Sequence, residues 1–211
     1  FRITDNYTSN EREVGQVVGM LRERSVRGGV YMGVGPEQNF TYIAAIRPAM
    51  AFILDIRRQA VMQHLMFKAV FELSADRADF ISLLFAKPRP AAIPASATIQ
   101  DIWTAYSPVP TDAVAGTKNS ARILEHLTKT HQFVFTPEET SQPEAVYQAF
   151  VAFGPAISTR GLGGGNTLTF ADLTGWATDA TGTPRSFLAT VDDYQFVKSL
   201  HEKNLIVPVS G

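Results

Sequence analysis

Residues 29–40 read GVYMGVGPEQNF, and this stretch constrains the fold more than any other. VYMGV (30–34) is a short apolar run of strand formers, punctuated by Gly33 and followed by Gly35. Pro36 then sits where the first turn of a helix tolerates a missing N–H. The helix should run to about Ile46 and stop before Pro48. Next comes AMAFILDI (49–56), continuously apolar, the pattern of a strand buried on both faces of a helix-covered parallel sheet. Strand, glycine turn, helix and strand in that order argue for an α/β layer.

The rest of the chain keeps this alternation. TSNEREVGQVVGMLRER (8–24) reads as a helix capped by Ser9 or Asn10, with acids early and Arg22 and Arg24 late. In RRQAVMQHLMFKAVFELSA (57–75), Val61, Met62, Leu65, Met66, Ala69, Val70 and Leu73 recur at helical spacing, and Met62, Met66, Phe67 and Phe71 read as core. DRADFISLLFAK (76–87) is a further helix after a bend near Ser74. KPRPAAIPASAT (87–98) must be an extended connector, because Pro88, Pro90 and Pro94 interrupt it. Helices are expected over 99–106, 117–130 and 137–153, the last opened by Thr136, Pro137 and Glu139 as a capping box. LTFADLTGW (168–176) and RSFLAT (185–190) read as short strands. Thr190 and Asp192 open a helix to about Lys203, and LIVPV (205–209) is another apolar strand.

With 211 residues the expectation is one α/β domain, a Rossmann-like three-layer sandwich with a mostly parallel sheet and a mostly helical insertion at about 87–155. The chain opens at Phe1 and ends on an apolar strand with few strands in hand, so it is expected to continue beyond Gly211. Hydrophobic residues make up 45% and charged ones 18%, ordinary for a packed core. A net charge of −1 gives no electrostatic support for binding nucleic acid or membrane surfaces. No apolar run approaches 18 residues, and the absence of cysteine excludes disulfides, thiolate nucleophiles and cysteine-type zinc sites.

A strand–Gly-x-Gly–helix turn aims backbone N–H groups and a helix's positive end at the carboxyl edge of the sheet, where such folds bind nucleotides. Asp55 closes the next strand 22 residues after Gly33, close to the acid of the dinucleotide fingerprint that accepts ribose hydroxyls. The third glycine of that fingerprint is replaced by Gln38. Pro36 removes an N–H, and Glu37 sets a carboxylate where a diphosphate would lie, at about 1 kcal/mol for like charges 4 Å apart in water. NAD, NADP and FAD are therefore disfavoured. S-adenosylmethionine has a ribose, no phosphate and two cationic groups, so it suits this turn. The plain alternative is that the glycines only make a turn, Glu37 complements the helix dipole and Asp55 caps the next helix.

TSNE, GGVYMGVGPEQNFTYIAAIRP, FILDIRRQ and FELSADRADF, with TFADL, RSFLAT and NLIVPV further on, resemble a bacterial family with an S-adenosylmethionine-methyltransferase-like fold that includes a leptospiral surface lipoprotein. By that resemblance Gly33 and Gly35 match the glycines of the methyltransferases' first motif, Asp55 the acid closing the second strand, and Ile56 the adenine face. Tyr31 stands where methyltransferases usually carry an acid, and Glu37 where they carry a third glycine. The implied function is an S-adenosylmethionine-dependent methyltransferase-like protein of unspecified acceptor, in which Gly33, Gly35 and Glu37 hold the methionine end and Asp55 the ribose. The resemblance equally accommodates a non-catalytic exported or cell-envelope binding protein on a degenerate methyltransferase fold, since fold does not imply function. A true S-adenosylmethionine enzyme belongs in the cytoplasm.

Arg57 and Arg58 follow Asp55 and suit an anionic substrate, or alternatively pair with Asp55, Glu37 or Glu72. Ser9, Asn10 and Glu11 either cap a helix or close over the pocket. Asp172 is the acid to test as a general base. His64, His126, His131 and His201 lack H-x-H or H-E-x-x-H spacing, so each reads as a helix-surface or partly buried residue and no metal site is expected. STRGLGGGNT (158–167) is a glycine-rich connector or a gating loop; no lysine follows its glycines, so it is not a phosphate loop.

Overall fold

Three parallel strands carry the fold, and all the packed helices lie against one side of them. The computed structural model describes residues 6–24, 27–91, 93–159, 161–162 and 167–211. Helix α1 (Val14–Arg24) leads to β1 (Val30–Val34), α2 (Gln38–Ile46), β2 (Met50–Asp55), α3 (Arg58–Leu73) and α4 (Arg77–Phe85). A helical stretch follows: α5 (Ile99–Tyr106), α6 (Ala113–Glu125) with a π-turn over His126–Thr130, α7 (Pro137–Thr140) and α8 (Gln142–Phe153). The two-residue strands β3 (Ile157–Ser158) and β4 (Gly161–Leu162) pair with each other, and a second π-turn spans Asp172–Trp176. Helix α9 (Val191–Glu202) and β5 (Ile206–Ser210) end the chain.

The sheet order is β1-β2-β5, with Val30 opposite Met50, Ala51 opposite Ile206 and every pairing parallel. Parallel neighbours need crossovers, and right-handed crossovers made in one direction across a sheet put their helices on one side. Burial follows this rule. Ala51, Ile53 and Asp55 of β2 are buried, whereas Met50, Phe52 and Leu54 are only half-buried. On that second face Val30, Met32 and Val34 of β1 are 62%, 68% and 69% exposed. The expectation that β2 is buried on both faces is therefore corrected: its apolar run serves one packed face and one open one.

The covered side is packed around Phe40 of α2, whose ring meets those of His64, Phe67, Phe71, Phe187 and His201 at 5.3–5.7 Å, mostly edge to face. The helices of the 99–153 stretch share this core through Trp103, Tyr106, Tyr147 and Phe150, the last 5.4 Å from Phe67. Arg77 ties the connector down, donating to the carbonyls of Ala97, Leu188 and Ala189 at 2.8–3.0 Å. Among the described residues no helix is long and apolar enough to cross a membrane.

Several local expectations change. Helix α1 begins at Val14 and is capped by neither Ser9 nor Asn10, because the Ser9 N–H is drawn to Glu37 and its hydroxyl accepts from Glu11 N. Helix α6 starts four residues earlier than expected, capped by Asp112. The 137–153 helix is two, parted at Ser141 ahead of Pro143. LTFADLTGW is a helical turn and RSFLAT an irregular segment, not strands. They are fixed by side chain–backbone bonds, Ser186 Oγ to Thr174 O and Phe187 N to Thr41 Oγ1.

Candidate functional site

The carboxyl ends of β1 and β2 meet at the turn that joins β1 to α2. Gly35 makes this turn possible, with φ +89°, a backbone that side-chain-bearing residues rarely adopt. Asn39, on the first turn of α2, holds it: Nδ2 donates toward the carbonyls of Val34, Gly35 and Pro36 at 3.2, 2.9 and 2.8 Å, and Oδ1 accepts from Tyr31 Oη at 2.8 Å. Gly33 leaves room for that latch. A Cβ there would fall 2.0 Å from Asn39 Oδ1 and 2.5 Å from Tyr31 Oη.

Glu37 is buried, and both its oxygens accept from Ser9 N at 3.1 and 3.2 Å. Burial pushes its carboxyl up to about 7, against the pull of the Ser9 bond. The segment carrying Ser9 is itself anchored, Gln63 Nε2 donating to Tyr7 O and Thr159 Oγ1 to Thr8 O. The N-terminal segment thus does lie over the turn.

Asp55 sits at the end of β2 with its carboxylate already engaged. Arg57 Nε and Nη2 reach its two oxygens at 3.0 and 2.7 Å, and Arg57 N donates to Oδ1 at 2.9 Å. Burial opposes ionisation, but these bonds prevail and hold the carboxyl below its usual range. Ile56 beside it is 71% exposed. His64 of α3 connects the two strand ends: Nε2 bonds Gly35 O at 3.0 Å, and the ring feels the Asp55 charge. Burial pushes that imidazole down to about 4, so it is neutral, with Nε2–H as donor and a buried Nδ1 that has no partner. Gly33, Gly35, Glu37, Asp55 and Arg57 therefore gather at one sheet edge, knitted together by Asn39 and His64.

Other candidates lie apart. Arg58 pairs with Glu139 at 2.5 Å. Asp172 is exposed and engaged in a cap, accepting from Thr169 N and Oγ1 at 3.0 and 2.7 Å. Residues 160 and 163–166 of the glycine-rich 158–167 loop lie outside the described residues. A shallow cleft bordered by Arg77, Arg89, Ile93 and Tyr194 shares no residue with the sheet edge.

His126 and His131 are partly buried, as expected, but the structure brings them together: both Nε2 atoms reach Glu72 Oε2, at 2.6 and 2.5 Å. No familiar spacing signals this, because the two are five residues apart and meet only through a π-turn. Asn39 and His64 were equally unmarked in sequence, being roles set by contacts across the turn.

The model of the family described as "Domain of unknown function (DUF7790)" matches residues 7–138. The chain belongs to that family. The match spans the β1–α2–β2 unit, the Ser9 segment and the Glu72, His126 and His131 cluster, so both constellations are parts of the DUF7790 region. No curated protein matches the chain.

Proposed function

We propose that the chain is a Rossmann-like, methyltransferase-type module that binds a nucleoside-bearing small molecule of the S-adenosylmethionine class at the carboxyl edge of β1 and β2. One observation carries the reading. A left-handed glycine turn and an acid end two adjacent parallel strands, the place where open α/β sheets take ligands. Asp55 would accept the ribose hydroxyls, Ile56 would face the adenine, and the Gly33–Glu37 turn would meet the methionine end. Arg57 must swing off Asp55 for this, and at 21% side-chain exposure it has a route to solvent. In methyl transfer the protein chiefly aligns acceptor and sulfonium, so no nucleophilic side chain is demanded. The one-sided sheet is compatible, its open apolar face being where a doubly wound sheet carries its second helical layer.

A second reading rests on a different observation: Arg57 and Ser9 already satisfy Asp55 and Glu37. On that reading the module keeps the scaffold without the cofactor and serves as a binding protein. Calorimetric titration with S-adenosylmethionine and S-adenosylhomocysteine, with NADH as control, separates them. Saturable binding strengthened by Arg57→Ala and abolished by Asp55→Ala supports the first. No binding by folded wild type or Arg57→Ala rejects it in favour of the second.

A further inference from the structure

We infer that Glu72, His126 and His131 form a binding site for a divalent first-row metal ion, zinc above all, held by one carboxylate and two imidazoles with water completing the shell. The three donor atoms lie within 4.8 Å of one another. They come from two elements, Glu72 from the last turn of α3 and the histidines from either end of the π-turn after α6. That turn is the device that assembles them. On an α-helix, residues five apart point about 140° away from each other. Here His131 N donates to His126 O across the wider turn, and the rings stand 5.0 Å apart, both facing Glu72. An unfavourable helical geometry retained at one place is a frequent mark of a functional site.

The surroundings suit an ion. The side chains of Glu72, His126 and His131 are 7%, 18% and 13% exposed, so the site is mostly enclosed but open to solvent on its histidine side. Lys68 Nζ donates to Glu72 Oε1 at 2.5 Å and to His201 O at 2.6 Å, which fixes the carboxylate and leaves Oε2 aimed at the imidazoles. Bonds of roughly 2.0–2.2 Å at tetrahedral angles need donor atoms about 3.3 Å apart. Opening the present 2.5 and 2.6 Å contacts that far takes less than an ångström of side-chain rotation. Each imidazole would bind the ion through the Nε2 lone pair, which leaves its ring proton on Nδ1. Two nitrogens and one oxygen with a free fourth position is the donor set of catalytic zinc, where bound water becomes acidic enough to act near neutral pH.

The test titrates chelator-treated protein with Zn2+ by calorimetry, then with Co2+ followed by visible absorption. One equivalent should bind, with a tetrahedral Co2+ spectrum. Glu72→Gln and His126→Asn should each weaken Zn2+ binding about a hundredfold or more, beyond what supporting residues usually cost. His131→Gln, at the end of the turn, serves where either variant loses its native circular dichroism. Failure of the wild type to bind one equivalent saturably, or equal affinity in a folded ligand variant, overturns the site. Neither result bears on the nucleoside proposal, which involves none of these residues.

Discussion

Replacing Glu37 with glutamine should make the protein more stable at alkaline pH than the wild type. Glu37 is 1% exposed, and burial raises its carboxyl from 4.5 to about 7. The fold therefore favours the protonated form. Such an acid contributes fully below its unfolded value, and that contribution is lost as pH rises through the folded one. The gap between 4.5 and about 7 corresponds to roughly 3 kcal/mol, most of it lost between pH 5 and 8. His64 runs the other way over almost the same window. Its imidazole, lowered from 6.5 to about 4, contributes above the first value, and the contribution is lost as pH falls toward the second. The two trends nearly cancel in the wild type, so the signal lies in the difference between proteins. Gln keeps the shape and an acceptor for Ser9 N but does not titrate. Urea unfolding at pH 5 and 8 should show the variant gaining about 2–3 kcal/mol on the wild type, with unchanged denaturant slope. A constant offset across pH would refute the argument, because Glu37 would then be an ordinary carboxylate.

Two further outcomes follow from packing. Gly33→Ala drives a Cβ into Asn39 Oδ1 and should cost about 2 kcal/mol, a fall of about 4–8 °C in Tm by differential scanning calorimetry. An unchanged Tm would mean that the glycine serves ligand approach and not the Asn39 latch. Arg77→Met strands the carbonyls of Ala97, Leu188 and Ala189 and should cost more than about 3 kcal/mol in chemical denaturation, where a loss under 1 kcal/mol would deny Arg77 its anchoring role.

Much of the architecture was legible because it is local. The strand at 30–34, the helix after Pro36, the break at Ser74, the proline connector and the helix at 99–106 all appear where residue type and spacing put them. A capping box, a proline or a 3.6-residue period acts within one turn of chain, so sequence carries it. The Gly-x-Gly turn and Asp55 were located equally well, because strand ends are punctuated by the residues that form them. Chemistry could not be read in the same way. The Arg57–Asp55 pair, two residues apart, was among the readings the sequence offered, but Glu37's engagement by a backbone N–H 28 residues away was not. The open face of the sheet was hidden too, since an apolar run looks alike whether one face is covered or both.

The sequence by itself determined the alternation of β1, α2, β2 and α3, the sharp turn at Gly35 and the supply of acids, imidazoles and cations. Tertiary structure alone decided which of them meet. Glu72 is 54 residues from His126 and 59 from His131, and only the packing of α3 against the π-turn after α6 sets their donor atoms together. The reason is physical: periodicity is a property of neighbours along the chain, whereas a site is made by side chains whose separation is fixed by the packing of separate elements.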